Sequence, residues 1–87
     1  EMSFMRLDSD ALLVTAVKQA EDGQGLIVRL FNPTDIAQKG VLTFCRPINR
    51  AEQVRMDESA VSPAKTDGAR LPLEVEPKKI RTYRVTL

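Results

Sequence analysis

The sequence contains no histidine and no tryptophan, and it has one cysteine among 87 residues. The missing histidine removes the commonest general acid–base side chain and the commonest zinc ligand. Cys45 has no partner for a disulfide within the chain, so the sequence differs from a disulfide-stabilised secreted scaffold. Without tryptophan, few aromatic rings remain for the exposed platforms that free-standing sugar-binding modules usually use. These absences argue against a catalytic site and lower the expectation of an autonomous sugar-binding domain.

The sequence also lacks an excess of charge of one sign and a long apolar run. The 13 basic and 12 acidic residues leave a formal net charge of +1, which gives no electrostatic basis for binding nucleic acid or an anionic membrane. No segment approaches the roughly 20 apolar residues of a membrane span, and residues 1–6 lack the layout of a signal peptide. Because the chain begins with Glu1 rather than methionine, we expect a fragment or processed piece of a larger protein.

Short aliphatic and β-branched runs alternate with turn residues along the chain. Six or seven short strands with turns every ~8–12 residues predict an all-β fold, a small antiparallel β-sandwich. We expect residues 1–10 to be a lead-in, 11–87 to be one sandwich domain, and the polar stretch 57–70 to be a loop with room for one short strand. The predicted strands are residues 11–17, 26–31, 41–45, 48–56, 71–76 and 79–87.

Period-two alternation assigns one face of each strand to the interior. Pro72 lies on the polar face of its strand and cannot donate to a neighbour, which indicates an edge strand. The side chains predicted to form the core are Val28, Leu30, Leu42, Phe44, Leu73 and Val85.

Two strands are apolar on both faces, although a strand of a two-layer sandwich buries only one. In residues 26–31, Ile27 and Phe31 point away from the predicted core. In residues 11–17, regular alternation places Leu13 and Val17 opposite Val14. Either loops and the N-terminal segment cover this second face, or Ile27 and Phe31 form a docking surface for another part of a larger protein, together with Leu13 or its alternative Val14.

Other polar groups favour structural roles over chemistry. The acidic clusters lack the spacing of a calcium loop. The adjacent carboxyls of Asp57 and Glu58 point to opposite faces of a strand instead of facing each other, and Glu74 and Glu76 share a face that is typical of the solvent side of a strand. Cys45 has no histidine to activate it, and the basic residues 78–81 are typical of a charged strand edge. The acidic clusters are residues 8–10, 21–23, 57–58 and 74–76. We therefore predict no catalytic, cofactor-binding or metal-binding residue in the chain.

Four segments resemble, in the right order, the C-terminal β-domain of glycoside hydrolase family 38 α-mannosidases. Residues 26–34, LIVRLFNPT, resemble the family's strand and Asn-Pro-Thr turn. Residues 16–23, AVKQAEDG, are similar to the lead-in before that strand. Residues 51–58, AEQVRMDE, and 79–85, KIRTYRV, are similar to two later strands. The resemblance covers most of the chain, from about Leu13 to Val85.

The resemblance implies a non-catalytic domain that braces the catalytic part of a zinc-dependent retaining α-mannosidase. In that family an N-terminal α/β domain binds zinc through His and Asp ligands and supplies an Asp nucleophile, and none of these residues maps onto this chain. The resemblance implies that the partners are the remaining domains of the parent, and that mannoside is reached only through them. The charge balance predicts no nucleic-acid or membrane partner. The compact turns and the lone cysteine fit a cytoplasmic location. The alternative is a stand-alone fibronectin-like interaction or carbohydrate-binding module, and the length of the encoding reading frame separates the two.

Overall fold

The computed structural model describes residues 5–9, 11–20, 25–55 and 59–87. These residues form eight strands and no helix. The all-β prediction is confirmed. The described part of the chain has eight strands instead of six to seven: residues 60–63 form the short strand allowed within 57–70, and residues 5–8 add a four-residue strand that is too short for alternation to reveal. The strands are β1 Met5–Asp8, β2 Leu13–Gln19, β3 Leu26–Phe31, β4 Gln38–Phe44, β5 Arg50–Val54, β6 Ala60–Pro63, β7 Arg70–Val75 and β8 Ile80–Thr86.

The strands pair into two antiparallel sheets that face each other as a sandwich. The smaller sheet has the order β1-β4-β7, and the larger sheet has the order β2-β3-β8-β5-β6. β7 is thus an edge strand, as Pro72 indicates. β1, which lies within the expected lead-in, pairs with β4 and contributes half-buried Met5 and Leu7 to the sandwich.

The main core lies between the two sheets. Val28 and Leu30 of β3 and Val85 of β8 face Leu42 of β4 and Leu71 of β7, and each of these side chains is completely buried. All six predicted core residues belong to this cluster, which is formed by Leu12, Val28, Leu30, Leu42, Phe44, Ile48, Ala51, Leu71, Leu73, Val75, Tyr83 and Val85.

The turn after β3 is held by one buried side chain, Asn32. Its Nδ2 donates hydrogen bonds to the carbonyl oxygens of Ile36, Val75 and Glu76 at 2.8, 2.9 and 3.2 Å. Its Oδ1 accepts from the backbone N–H of Thr34 at 2.9 Å. The amide therefore connects the β3–β4 turn to the end of β7 in the opposite sheet.

A lysine on the β7–β8 turn reinforces this connection. Lys78 has a φ of 58°, in the left-handed region that side chains other than glycine seldom occupy. Its Nζ donates to the Pro33 carbonyl oxygen at 2.6 Å and lies 3.7 Å from a carboxylate oxygen of Asp35. The two turns are thus joined by a charge-assisted hydrogen bond as well as by Asn32.

Candidate docking surface and inter-sheet cleft

The outer face of the larger sheet bears a row of apolar side chains across three strands. Leu13 of β2 pairs with Phe31 of β3, and Phe31 pairs with Ile80 of β8. Directly paired residues project from the same face of a sheet. Leu13 and Ile80 are each 52% exposed, and Phe31 is half-buried between them. We call these three residues the apolar row.

The structure brings two of the three predicted docking residues together and separates the third. Ile27 lies on the same outer face but is 0% exposed, and it packs in a small cluster with Ala20 and Val54. It therefore offers no side-chain surface to another protein. Part of the second apolar face of β3 is covered within the chain, and Leu13 and Phe31 remain at its open end.

Ile80 is the member of the row that sequence analysis missed. Its own strand places Tyr83 and Val85 in the core, so alternation assigns Ile80 to the solvent side. Alternation does not show which side chains lie next to Ile80 on that face. Its neighbour Phe31 lies almost fifty residues away in the chain. No local pattern contains that pairing, and only the register between β3 and β8 reveals it.

The rest of the outer face is positively charged. Register places Arg29 on this face two residues from Phe31, and it places Lys18 and Arg84 farther along the sheet, on either side of Ile27, with Glu52 opposite Arg84. Glu52 is itself paired with Arg50 at 3.3 Å. Arg29 has its Nε buried without a hydrogen-bond acceptor among the described residues. Arg29 is therefore the basic side chain of these three that lies nearest to the apolar row.

The edge strand β2 departs from regular alternation. A register shift between Val14 and Ala16 is a β-bulge, which turns the following side chains by one position. Val14 then pairs with Leu30, and Val17 with Val28. Both valines thus lie on the core side of β2, where they are more than a third exposed. The prediction that they occupy opposite faces is wrong, because period-two alternation does not foresee a bulge.

A cleft of about 470 Å³ opens between the two sheets beside β6 and β7. Its polar lining includes Gln53, Glu76, Arg81 and Tyr83. Arg81 donates through Nε and Nη2 to the two carboxylate oxygens of Glu76 at 3.1 and 2.6 Å, and through Nη1 to Gln53 Oε1 at 2.6 Å. This arginine was expected at a charged edge, but it lies on the inner side of the larger sheet with Tyr83.

The cleft shifts three ionisation equilibria. The hydrogen bond from Arg81 holds the pKa of Glu76 below its ordinary value, and the same bond raises the pKa of Arg81. Burial raises the pKa of Tyr83, with the positive charge of Arg81 acting in the opposite direction. The arginine–glutamate pair is therefore ionised, and the tyrosine is a neutral hydroxyl.

No candidate metal centre is formed by the described residues. They contain no group of three or more His, Cys, Asp or Glu side chains that could hold a metal ion. Cys45 is an exposed free thiol, and Glu76 is occupied by Arg81 and does not pair with Glu74. Asp10 and the acidic residues of 21–23 and 57–58 lie outside the described residues. The described residues also include no helix with the length and apolarity to cross a membrane.

Comparison with known proteins gives one match. The model of the glycosyl hydrolases family 38 C-terminal beta sandwich domain matches residues 11–83. No curated protein matches the chain, and no solved structure does.

Proposed function

This chain belongs to the glycosyl hydrolase family 38 C-terminal β-sandwich domains, and from this membership we propose that it is a non-catalytic accessory domain that braces the catalytic part of a larger glycoside hydrolase. The observation that supports docking is the apolar row of Leu13, Phe31 and Ile80. Three large apolar side chains side by side on an exposed sheet face are typical of an interaction surface.

Charge specifies the partner further. The basic side chains of the outer face, with Arg29 nearest to the apolar row, complement a partner surface that has an apolar ridge bordered by Asp or Glu. We propose that this surface belongs to the remaining domains of the parent enzyme. At this surface, contact with substrate then occurs only through the parent.

For the parent, we propose a zinc-dependent retaining α-mannosidase with its zinc ion in the catalytic domain. The support is the order of the four family-like segments, with the strand and turn of residues 26–34 the most specific of them. A cytoplasmic location is proposed because the single cysteine is an exposed free thiol, as is common in reducing compartments. A stand-alone module that holds sugars on an exposed aromatic platform has less support, because Phe44 and Tyr83 are buried.

The test is to supply the domain in trans to the rest of the encoded enzyme. Wild-type domain should bind the remainder and raise both its thermal stability and its hydrolysis of an aryl α-mannoside. Phe31→Ser should bind at least about tenfold more weakly, since it removes the central apolar side chain of the docking surface. The domain alone should hydrolyse nothing, with or without added zinc.

A matched control is Ile36→Ser, which removes a 66% exposed aliphatic side chain outside the apolar row. This variant should bind like the wild type. If the remainder is equally stable and active without the domain, or if Phe31→Ser binds as tightly as Ile36→Ser, the bracing role and its docking surface are wrong.

A further inference from the structure

The cleft exists because the two sheets have different widths. The larger sheet has five strands and the smaller sheet three, so the smaller sheet cannot cover the whole inner face of the larger one. Gln53 pairs with the core residue Tyr83 and therefore points inward, as does Arg81 two residues before Tyr83. These polar groups lie beyond the apolar core, where an inner sheet face is open to solvent.

Hydrogen bonds within the cleft fix the orientation of its polar groups. Arg81 occupies Gln53 Oε1, which turns the Nε2 amide donor of Gln53 away from the guanidinium. That Nε2 makes no hydrogen bond with another described residue. Glu76 accepts from Arg81 with both oxygens, and each oxygen retains a second lone pair. The cleft thus presents a prepositioned donor close to prepositioned acceptors.

The charges that line the cleft cancel. Lys65 and Arg81 contribute two positive charges, and Glu74 and Glu76 contribute two negative charges. Neither an anion nor a cation is favoured by this balance. The ligand that suits the lining is neutral and rich in hydroxyl groups, because such groups both donate and accept hydrogen bonds.

The walls of the cleft oppose strand addition. The N–H of Phe44 donates to the carbonyl of Ala69, so Ala69 directs its backbone groups toward β4. Successive residues alternate in this direction, so Pro72 lies at the free edge of β7, where it has no N–H to offer. Pro63 ends β6 on the other side of the cleft. These edges disfavour pairing with an extended peptide and leave space for a small ligand.

We propose that this cleft binds a single neutral sugar ring. Its volume of about 470 Å³ falls within the roughly 300–1,000 Å³ of small-molecule sites. Gln53 Nε2 and the Glu76 carboxylate bind neighbouring hydroxyl groups, and the Tyr83 hydroxyl contributes a third polar contact. Pro63 and Pro72 contact the C–H groups of the ring, so binding does not require an aromatic platform.

The proposal is tested by titrating the isotope-labelled 87-residue chain with methyl α-D-mannopyranoside and methyl β-D-glucopyranoside and recording its amide NMR spectrum. At least one sugar should cause saturable shift changes confined to cleft residues, with a Kd on the order of millimolar. Sodium acetate and tetramethylammonium chloride should cause no such changes at matched ionic strength.

Two variants test the assignment of the site. Gln53→Ala should weaken sugar binding about fivefold, as expected for the loss of one neutral hydrogen bond, and Tyr83→Phe should weaken it while keeping the ring in the core. Gln19→Ala is the matched control: it removes the same amide from the exposed edge strand β2 and should leave affinity unchanged. The spectrum of each variant reports directly whether it is folded.

The proposal would be overturned if neither sugar caused a saturable change up to about 100 mM, which is roughly 1.4 kcal/mol weaker than a 10 mM site. Shift changes with acetate equal to those with sugar would also overturn it. So would unaltered sugar affinity in folded Gln53→Ala and Tyr83→Phe. The titration uses the free chain, so its outcome is independent of whether the domain braces a parent enzyme.

Discussion

At the scale of single residues, Asn32 connects its own turn to the end of β7 through one side chain. It is completely buried, and it fixes both its own turn and the end of β7. The sequence pattern identifies Asn32-Pro33-Thr34 as a turn and as part of the most specific family-like segment. The structure adds the reason that asparagine suits this position, because its amide donates to carbonyls and accepts from a backbone N–H at the same time.

Asn32→Ala should lower the free energy of unfolding by about 2–4 kcal/mol, because buried carbonyls including that of Val75 lose their donor. Asn49→Ala, at an exposed position, is the control and should change stability by less than about 0.5 kcal/mol. Urea denaturation of both variants is the measurement. Equal losses would show that the Asn32 network contributes little to stability.

The ionisation of Glu76 makes the free energy of unfolding depend on pH. The lowered pKa of this carboxyl means that the folded state binds its proton less readily than the unfolded state. The Glu76–Arg81 pair therefore stabilises the fold above the ordinary glutamate pKa, and this contribution is lost as the pH falls through the lower, folded-state pKa.

We expect wild type to be more stable than Glu76→Gln at pH 7, with the difference shrinking below about pH 4. Glu74→Gln is the control: Glu74 lies on β7, two residues before Glu76, its side chain makes no ion pair among the described residues, and this variant should be about as stable as wild type at pH 7. Urea midpoints measured from about pH 3 to 7 check this. A Glu76→Gln difference that persists undiminished at the acidic end of this range would contradict the ion-pair argument.

At the scale of elements, the β2–β3 hairpin depends on Gly25. This residue has a φ of 88°, and a Cβ atom at its position would lie 2.6 Å from the Val85 carbonyl oxygen. The glycine thus permits both this backbone conformation and the close approach of β8. Gly68 has a φ of 62°, but a Cβ atom added there would have no atom within 4 Å. A side chain at residue 68 would therefore strain the backbone without a steric clash.

Gly68→Ala should cost about 1 kcal/mol for its left-handed conformation alone, whereas Gly25→Ala should cost about 2–4 kcal/mol because the backbone of β8 must also move. Thermal or urea unfolding separates the two effects. Similar losses in the two variants would mean that the hairpin adjusts without disturbing β8.

The inward and outward faces of the larger sheet predict different energetic roles for leucines on neighbouring strands. Leu30→Ala should lower stability by about 2–5 kcal/mol, because the side chain is completely buried in the core. Leu13→Ala, at 52% exposure, should lower it by less than about 1 kcal/mol. Equal effects in chemical denaturation would show that the face assignment of β2 or β3 is wrong.

At the scale of the whole molecule, the proposed docking surface has a consequence for the free domain. Without its partner, the apolar row is open to water and favours self-association. The free wild-type chain should therefore show a concentration-dependent increase in sedimentation coefficient, which Phe31→Ser abolishes and Ile36→Ser leaves intact. A strictly monomeric wild type at all concentrations, or the same behaviour in both variants, would count against the surface.

The sequence by itself determined most strands of the sandwich, its six central core residues, the edge position of β7 and the family to which the chain belongs. These features follow from alternation along one segment or from local turn chemistry, both of which a linear pattern records. The missing histidine and tryptophan likewise limited the possible chemistry, because no fold can supply a side chain that the sequence lacks.

Only the tertiary structure decided which segments lie side by side. It buried Ile27, placed Ile80 beside Phe31, added β1 to the smaller sheet and directed Arg81 into the cleft. A bulge in β2 placed two valines on one face. Each of these outcomes depends on cross-strand register or on the unequal widths of the sheets, and both arise from contacts between residues far apart in the chain. Period-two patterns identify the two faces of a strand, but they contain no information about its neighbours.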